Sequence, residues 1–241
     1  YVGIGGWLPS FCEQNPVHRS LLKRIAGIYV ELPSMKTVLE SRWAFKNVHF
    51  APNFRMVAHT EEQPVQRTAC SKFVYVGRVD LLKGFEKIMR VFKRLDSGIT
   101  CTFYGPINPK DEALFEQYLS EVPNVKYGGI VDPNEVQSTL RNFDCMLFPT
   151  HYPAEGFPGT ILDAYAAGIP IVASNWRYNG EIVQEEFSGL LFETHDLEAF
   201  EIQIRRLIDD SNLYKKLIEG VNLTNQRYTP QSVWQTIKNQ L

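Results

Sequence analysis

The chain has 241 residues, 44% hydrophobic and 22% charged, with 16 glycines and 14 prolines, so it can bury a sizeable core and is neither disordered, collagen-like nor of low complexity. Its net charge of −2 leaves no overall basic field to hold nucleic acid or an anionic membrane. Cys12, Cys70, Cys101 and Cys145 have neither metal-site nor redox spacing, and the last two sit inside apolar runs as small buried hydrophobes, which favours a reducing, cytoplasmic setting. No apolar stretch approaches the roughly 20 residues that span a bilayer, and the start shows no signal-peptide pattern. The Asn222 sequon is a chance match in such a setting. A first residue of Tyr1 rather than methionine suggests that the natural start is missing.

In chain order, Gly3-Ile4-Gly5-Gly6 suggests a dinucleotide fingerprint but is followed by Trp7-Leu8-Pro9, where a third glycine and a helix should stand, and reads as a loop. Val17–Arg24 reads as helix, Gly27–Leu32 as strand, Ser34–Phe45 as helix and Val48–Ala51 as a short strand. Residues 1–53 are too few for a whole α/β domain and read as the tail end of one. The polar, unpatterned stretch 54–71 is a linker.

From residue 72 the pattern strengthens. Strands are expected at Lys72–Gly77, Ile99–Gly105, Val125–Ile130, Asp144–Pro149, Ile169–Ser174 and Gly189–Phe192. A helix at Lys83–Leu95 has one apolar face (Phe85, Ile88, Met89, Phe92, Leu95), and helical patterns fall near 110–121 and 133–142. Such alternation means a parallel sheet covered on both faces, a Rossmann-like doubly wound α/β domain over 72–223. The stretch 196–241 is helical, broken near Thr229–Pro230, and 224–241 is the final helix.

Two segments carry chemistry. In Val76-Gly77-Arg78-Val79-Asp80-Leu81-Leu82-Lys83-Gly84 a strand ends at glycine and two cations follow, over the crevice where doubly wound sheets bind ligands. Arg78 as a fork and Lys83 as a point charge suit a diphosphate; solvated surface charges are the plain alternative. In Glu155-Gly156-Phe157-Pro158-Gly159-Thr160-Ile161-Leu162-Asp163 a strand leads into a helix with Pro158 in its first turn. The N–H groups of Gly159, Thr160 and Ile161 then favour an anion, and Glu155 and Asp163 flank it to meet sugar hydroxyls. Alternatively Asp163 complements the helix dipole and Glu155 is a loop charge.

The histidines His18, His49, His59, His151 and His195 form no metal spacing, and there is no Gly-x-Ser-x-Gly elbow or Walker loop. His151 borders the second segment and reads as a loop histidine without a role. Lys87, Arg90, Lys93 and Arg94 form a basic face on the helix 83–95, read as solvated, with peripheral contact to anionic lipid at the inner face of the membrane as the alternative.

VGRVDLLKG at 76–84, YGGIVDPNEV at 127–136, the run 144–174 and GEIVQEEFSGLLFE at 180–193 together resemble the retaining glycosyltransferases of family 4, the group 1 transferases, with a two-domain GT-B fold. The resemblance makes 1–53 the last part of an acceptor-side N-terminal domain, 72–223 the nucleotide-sugar domain, and 224–241 a helix crossing back. It implies that Gly77, Arg78 and Lys83 bind the nucleotide diphosphate and that Glu155 faces the donor sugar. Backbone at Gly156, Phe157, Pro158, Gly159 and Thr160 would hold sugar hydroxyls and phosphate. Ile130 and Val131 would read the base, and Asp163, shorter than the family's glutamate, the ribose. Arg78, Lys83 and Glu155 are the catalytic set. The implied activity moves a sugar from a nucleotide diphosphate sugar to a glycan or lipid-linked hydroxyl with retention, without a cofactor or metal. A non-catalytic nucleotide- or saccharide-binding module and a GT-B sugar-nucleotide epimerase are the alternatives. With little of the acceptor-side domain, the chain is expected to bind donor but transfer poorly, and to self-associate through that part.

Overall fold

In the strand β4 (Lys72–Val76) the residues Phe73, Val74 and Tyr75 are all buried, as expected of a strand with helices on both faces. Val74 joins one apolar cluster, while Phe73 and Tyr75 join the other. The computed structural model describes residues 2–3, 6–56 and 68–240. Ile4 and Gly5 of the glycine run, and residues 57–67 of the expected linker, lie outside the described residues.

The chain opens with a parallel sheet of β1 (Val2–Gly3), β2 (Ile28–Val30) and β3 (Val48–Phe50). Between them lie α1 (Leu8–Gln14), α2 (Pro16–Leu22) and α3 (Pro33–Trp43). α1 begins where the sequence reading placed only loop: Pro9 is tolerated because a first-turn N–H has no intrahelical partner to lose.

β4 then leads through a 3-10 turn (Leu81–Lys83) to α4 (Phe85–Phe92), β5 (Thr100–Tyr104), α5 (Glu112–Glu121), β6 (Val125–Tyr127) and α6 (Val136–Leu140). There follow β7 (Cys145–Phe148), α7 (Gly159–Ala166), β8 (Ile171–Ser174), α8 (Asn179–Ile182) and β9 (Gly189–Phe192). Helices α9 (Leu197–Asp209), α10 (Ser211–Asn225) and α11 (Pro230–Lys238) end the chain, with Asp210 and Thr229 capping the last two. The six strands are parallel in the order β6-β5-β4-β7-β8-β9. The order reverses between β4 and β7, and a doubly wound sheet opens its binding crevice at such a switch.

Two clusters sandwich this sheet. One takes Phe85, Ile88, Phe103, Phe115, Phe200 and Leu217 from the α4, α5, α9 and α10 side. The other runs from Ile161, Leu162 and Tyr165 of α7 into Leu8, Ile28 and Val30 of the smaller unit. α11 reaches back to β3, where the Gln240 amide accepts from the Phe50 N–H at 2.8 Å and donates to its carbonyl at 2.7 Å. All four cysteines are buried and free. Among the described residues, no helix is long and apolar enough to cross a membrane.

Several boundaries differ from expectation. β6 stops at Tyr127, so Ile130 lies in a loop with 72% of its surface exposed. α4 starts after Gly84, whose left-handed φ of 85° breaks the helix from the preceding turn. The basic face of α4 also divides. The Lys87 ammonium donates to the carbonyls of Thr194 (2.6 Å) and Pro149 (3.3 Å) and so leaves the solvated face. Arg90, Lys93 and Arg94 pair with Glu86, Glu121 and Glu201. Those carboxylates offset the charge proposed to attract lipid.

Candidate functional site

The β4–α4 and β7–α7 connections are docked on each other at the switch point. The Gly84 backbone lies so close to Pro149 that a Cβ there would sit 2.3 Å from the Pro149 carbonyl oxygen. The His151 N–H donates to the Leu82 carbonyl at 2.8 Å. Asp80 fixes the 3-10 turn by accepting from the Leu82 N–H (2.8 Å) and the Asn108 amide (2.9 Å). Burial raises the Asp80 pKa, but those hydrogen bonds and the charges of Arg78 and Lys83 outweigh it and hold the carboxyl below its ordinary value.

This docking brings Lys83 to Glu155. The Lys83 Nζ lies 2.6 Å from Glu155 Oε2, and the buried Thr150 hydroxyl donates to the same oxygen at 2.9 Å. The Arg78 Nε stands 3.2 Å from Asp80. Beneath both cations lies the Tyr152 ring, its centroid 4.7 Å from the Lys83 ammonium and 5.8 Å from the Arg78 guanidinium. A cavity of about 200 Å³ opens among Gly77, Arg78, Lys83, Glu155, Pro158, Gly159 and Thr160, floored by Tyr75, Val76 and Phe148.

Pro158 is the extended residue before α7 rather than its first turn. The Ile161 N–H folds back onto the Pro158 carbonyl at 3.2 Å, which leaves Gly159 and Thr160 as the N–H donors at the helix start. A helix N-terminus with two cations nearby has the charge that favours a phosphate-sized anion.

Seven of the expected site residues therefore line one cavity, and five do not. Gly156 and Phe157 are buried behind it, with the Phe157 ring edge-on to Tyr228 at 5.5 Å. Ile130 and Val131 follow β6, which β5 separates from β4, and do not line the cavity. Asp163 turns away. Its Oδ1 accepts from the Arg55 Nε at 2.8 Å, and Gln137 also hydrogen-bonds its carboxylate. Burial raises the Asp163 pKa, opposed by Arg55 and Gln137.

Thr150 and Tyr152 were missed although they stand between the end of β7 and Glu155, the stretch that must fold over a switch point. Arg55 carried no local signal, since its partner lies 108 positions away. His151 packs edge-on to His195 at 5.7 Å, away from the cavity lining. Burial and the charges of Lys87 and His195 lower its pKa. A wider depression of about 660 Å³, lined by Asn175, Trp176, Glu193, Thr194, His195, Asp196 and Leu197, opens past β8 and β9, but among the described residues no lysine or arginine lines it. Among the described residues, no group of three or more His, Cys, Asp or Glu could hold a metal ion.

Residues 60–222 match the family model described as glycosyl transferases group 1. Glycogen synthase of Mycobacterium tuberculosis is 28% identical over 175 residues, 71% of this chain and 41% of that protein. The capsular polysaccharide biosynthesis glycosyltransferase CapM of Staphylococcus aureus is 24% identical over 169 residues, 68% of this chain and 44% of that protein. The chain thus spans less than half the length of these curated relatives. The crystal structure of Anabaena Alr3699/HepE in complex with UDP superposes with a TM-score of 0.84 at 15% identity, over 100% of this chain and 71% of that one. The doubly wound sheet preceded by a smaller α/β unit is the GT-B architecture.

Proposed function

Because the chain belongs to the group 1 glycosyl transferases, we propose that its six-stranded unit binds a nucleotide diphosphate sugar and supports transfer of that sugar to a hydroxyl acceptor, with retention of anomeric configuration. The observation that carries this reading is the convergence of Arg78, Lys83 and the free N–H groups of Gly159 and Thr160 on one cavity beside Glu155. Fixed positive groups aimed at a departing diphosphate are worth most where charge develops in the transition state.

In the proposed reaction the bond from the anomeric carbon to the β-phosphate oxygen breaks, and its electron pair leaves on the diphosphate. The acceptor oxygen bonds to the same carbon and gives its proton to the departing phosphate or to water. Arg78 and Lys83 bind the diphosphate and take up its growing charge, in the role a divalent ion would otherwise fill, so transfer is expected to proceed with a chelator present. Glu155, anchored by Lys83 and Thr150, faces the sugar and orients its hydroxyls. Retention rests on the resemblance of residues 144–174 to the retaining transferases. A glycan acceptor has the support of the capsular polysaccharide relative, and a lipid-linked one rests on the resemblance alone.

The test is a thermal-shift screen of the chain against UDP- and GDP-sugars, followed by product analysis with the whole protein. A ligand at 100 times its dissociation constant adds about 2.7 kcal/mol of stability. Sugar moved to an acceptor, with the anomer read by NMR, supports the reading. Epimerised donor, or binding without turnover, would favour the epimerase or binding-module alternative.

A further inference from the structure

Arg55 is held from three sides. Its main-chain N–H donates to the Tyr228 carbonyl at 3.0 Å, its Nε to Asp163 at 2.8 Å and its Nη1 to the Phe54 carbonyl at 3.1 Å. The remaining arm, Nη2, lies against the start of α7. A Cβ added to Gly159 would come within 1.8 Å of it, so the residue at this first helical position must be glycine for the guanidinium to lie there. Gly159 also lines the cavity beside Lys83 and Arg78. The Gln137 amide, which hydrogen-bonds Asp163, donates to the Met56 carbonyl at 2.9 Å and ties the same segment to α6.

This placement is electrostatically odd. The N-terminus of a helix carries partial positive charge and is a poor place for a cation unless an anion joins it. Asp163 supplies one negative charge from within the helix and does not line the cavity. Arg78 and Lys83, which line the cavity, pair with Asp80 and Glu155, while Arg55, which meets the cavity wall only at Gly159, pairs with Asp163. A diphosphate on the Gly159 and Thr160 N–H groups would place a further anion close to the Nη2 arm at Gly159.

The geometry points to Arg55 as a third donor-binding cation, its Nη2 contributing to the diphosphate over Gly159, with Asp163 as the positioning residue that aims it and not as the ligand of the ribose. This rests on the donor-binding reading of the same cavity. It makes the aspartate intelligible: its shorter side chain is spent on Arg55 and Gln137. It also assigns a binding role to the segment joining the two sheets.

The experiment is calorimetry on the 241-residue chain with UDP, GDP, uridine, guanosine and 2′,3′-dideoxy-UDP, for the parent, Arg55→Gln, Arg55→Lys and Asp163→Asn, each checked by its ligand-free melting. Arg55→Gln should weaken the preferred nucleoside diphosphate by at least tenfold and leave the nucleoside unchanged, with Arg55→Lys intermediate. Asp163→Asn should keep the parent ratio of UDP to dideoxy-UDP affinity. Unchanged diphosphate affinity in Arg55→Gln, equal losses for nucleoside and diphosphate, or a UDP preference that collapses in Asp163→Asn would each overturn the inference. Should Arg55→Gln not fold, Arg55→Lys decides by the same comparison of diphosphate with nucleoside. If the parent chain binds neither UDP nor GDP, the donor-binding reading fails and this inference with it; if the parent binds and Arg55→Gln binds equally well, only the inference fails.

Discussion

Lys83 and Glu155 meet at 2.6 Å in the lining of the cavity, with the lysine side chain 19% and the glutamate side chain 9% exposed. The pair couples the two docked connections and spends part of the Lys83 charge before any donor arrives. Glu155→Gln should therefore tighten binding of the free nucleoside diphosphate by about 1 kcal/mol, since a neighbouring negative charge is lost and Lys83 is released. The same change should slow sugar transfer, because the sugar loses a charged acceptor. Lys83→Ala should weaken the diphosphate by about 1.5–3 kcal/mol and leave the nucleoside nearly unchanged. Calorimetry with the two ligands checks both; diphosphate binding that weakens in Glu155→Gln would contradict the proposed geometry.

Thr150 supplies the second hydrogen bond to Glu155 Oε2, at 2.9 Å, from a side chain that is almost wholly buried. Valine has the same shape without the hydroxyl. Thr150→Val should cost about 1.5–3 kcal/mol of stability, the range for hydrogen bonds to charged groups. Urea unfolding measures it through the midpoint at unchanged slope.

Gly84 combines a left-handed φ with the close approach to Pro149. A Cβ there strains the backbone and pushes apart the two connections that hold Lys83 and Glu155. Gly84→Ala should destabilise the fold by about 1–3 kcal/mol and lower diphosphate affinity as well. Tyr152→Leu is the milder companion: losing the ring beneath two cations should cost about 0.5–1 kcal/mol of diphosphate binding, while Tyr152→Phe should cost almost nothing. Equal effects from Leu and Phe would shift the role from the ring to the hydroxyl.

Much of this was legible in the sequence because it is local. Apolar runs ended by Gly77 and Pro149 marked β4 and β7, and Arg78, Lys83 and Glu155 beyond them line the cavity. The errors arose where a backbone detail or a distant contact decides. Gly84 in the left-handed region moved Lys83 out of α4, and Pro158 proved to precede α7 rather than open it. Periodicity placed Lys87 on a solvated face, but carbonyls of two later connections draw its ammonium inward. Arg55 sits in an unpatterned stretch, and nothing periodic announces an ion pair made 108 positions along the chain.

Lys87 also gives the fold a pH dependence whose sign can be worked out. Burial pushes its pKa from the ordinary lysine value down to about 8, with Glu86 pulling weakly the other way. The unfolded chain holds that proton up to about 10.4. Below pH 8 both states carry it, and the folded state bears the full cost of burying the charge. Between the two values the unfolded state binds more protons, so the Lys87 contribution becomes less unfavourable as pH rises. The buried thiols of Cys70 and Cys101, whose pKa values burial raises, act in the opposite direction above about pH 8.5, where the unfolded thiols ionise first. The whole-protein curve therefore mixes the two, and the informative quantity is the stability of the parent minus that of Lys87→Met. His151, whose pKa Lys87 helps to depress, titrates below this window and leaves the difference untouched there. The difference should climb in favour of the parent between pH 8 and about 10 and level off below pH 8. A difference that stays flat or falls across that window would show that the Lys87 ammonium is not held as its contacts with Thr194 and Pro149 imply.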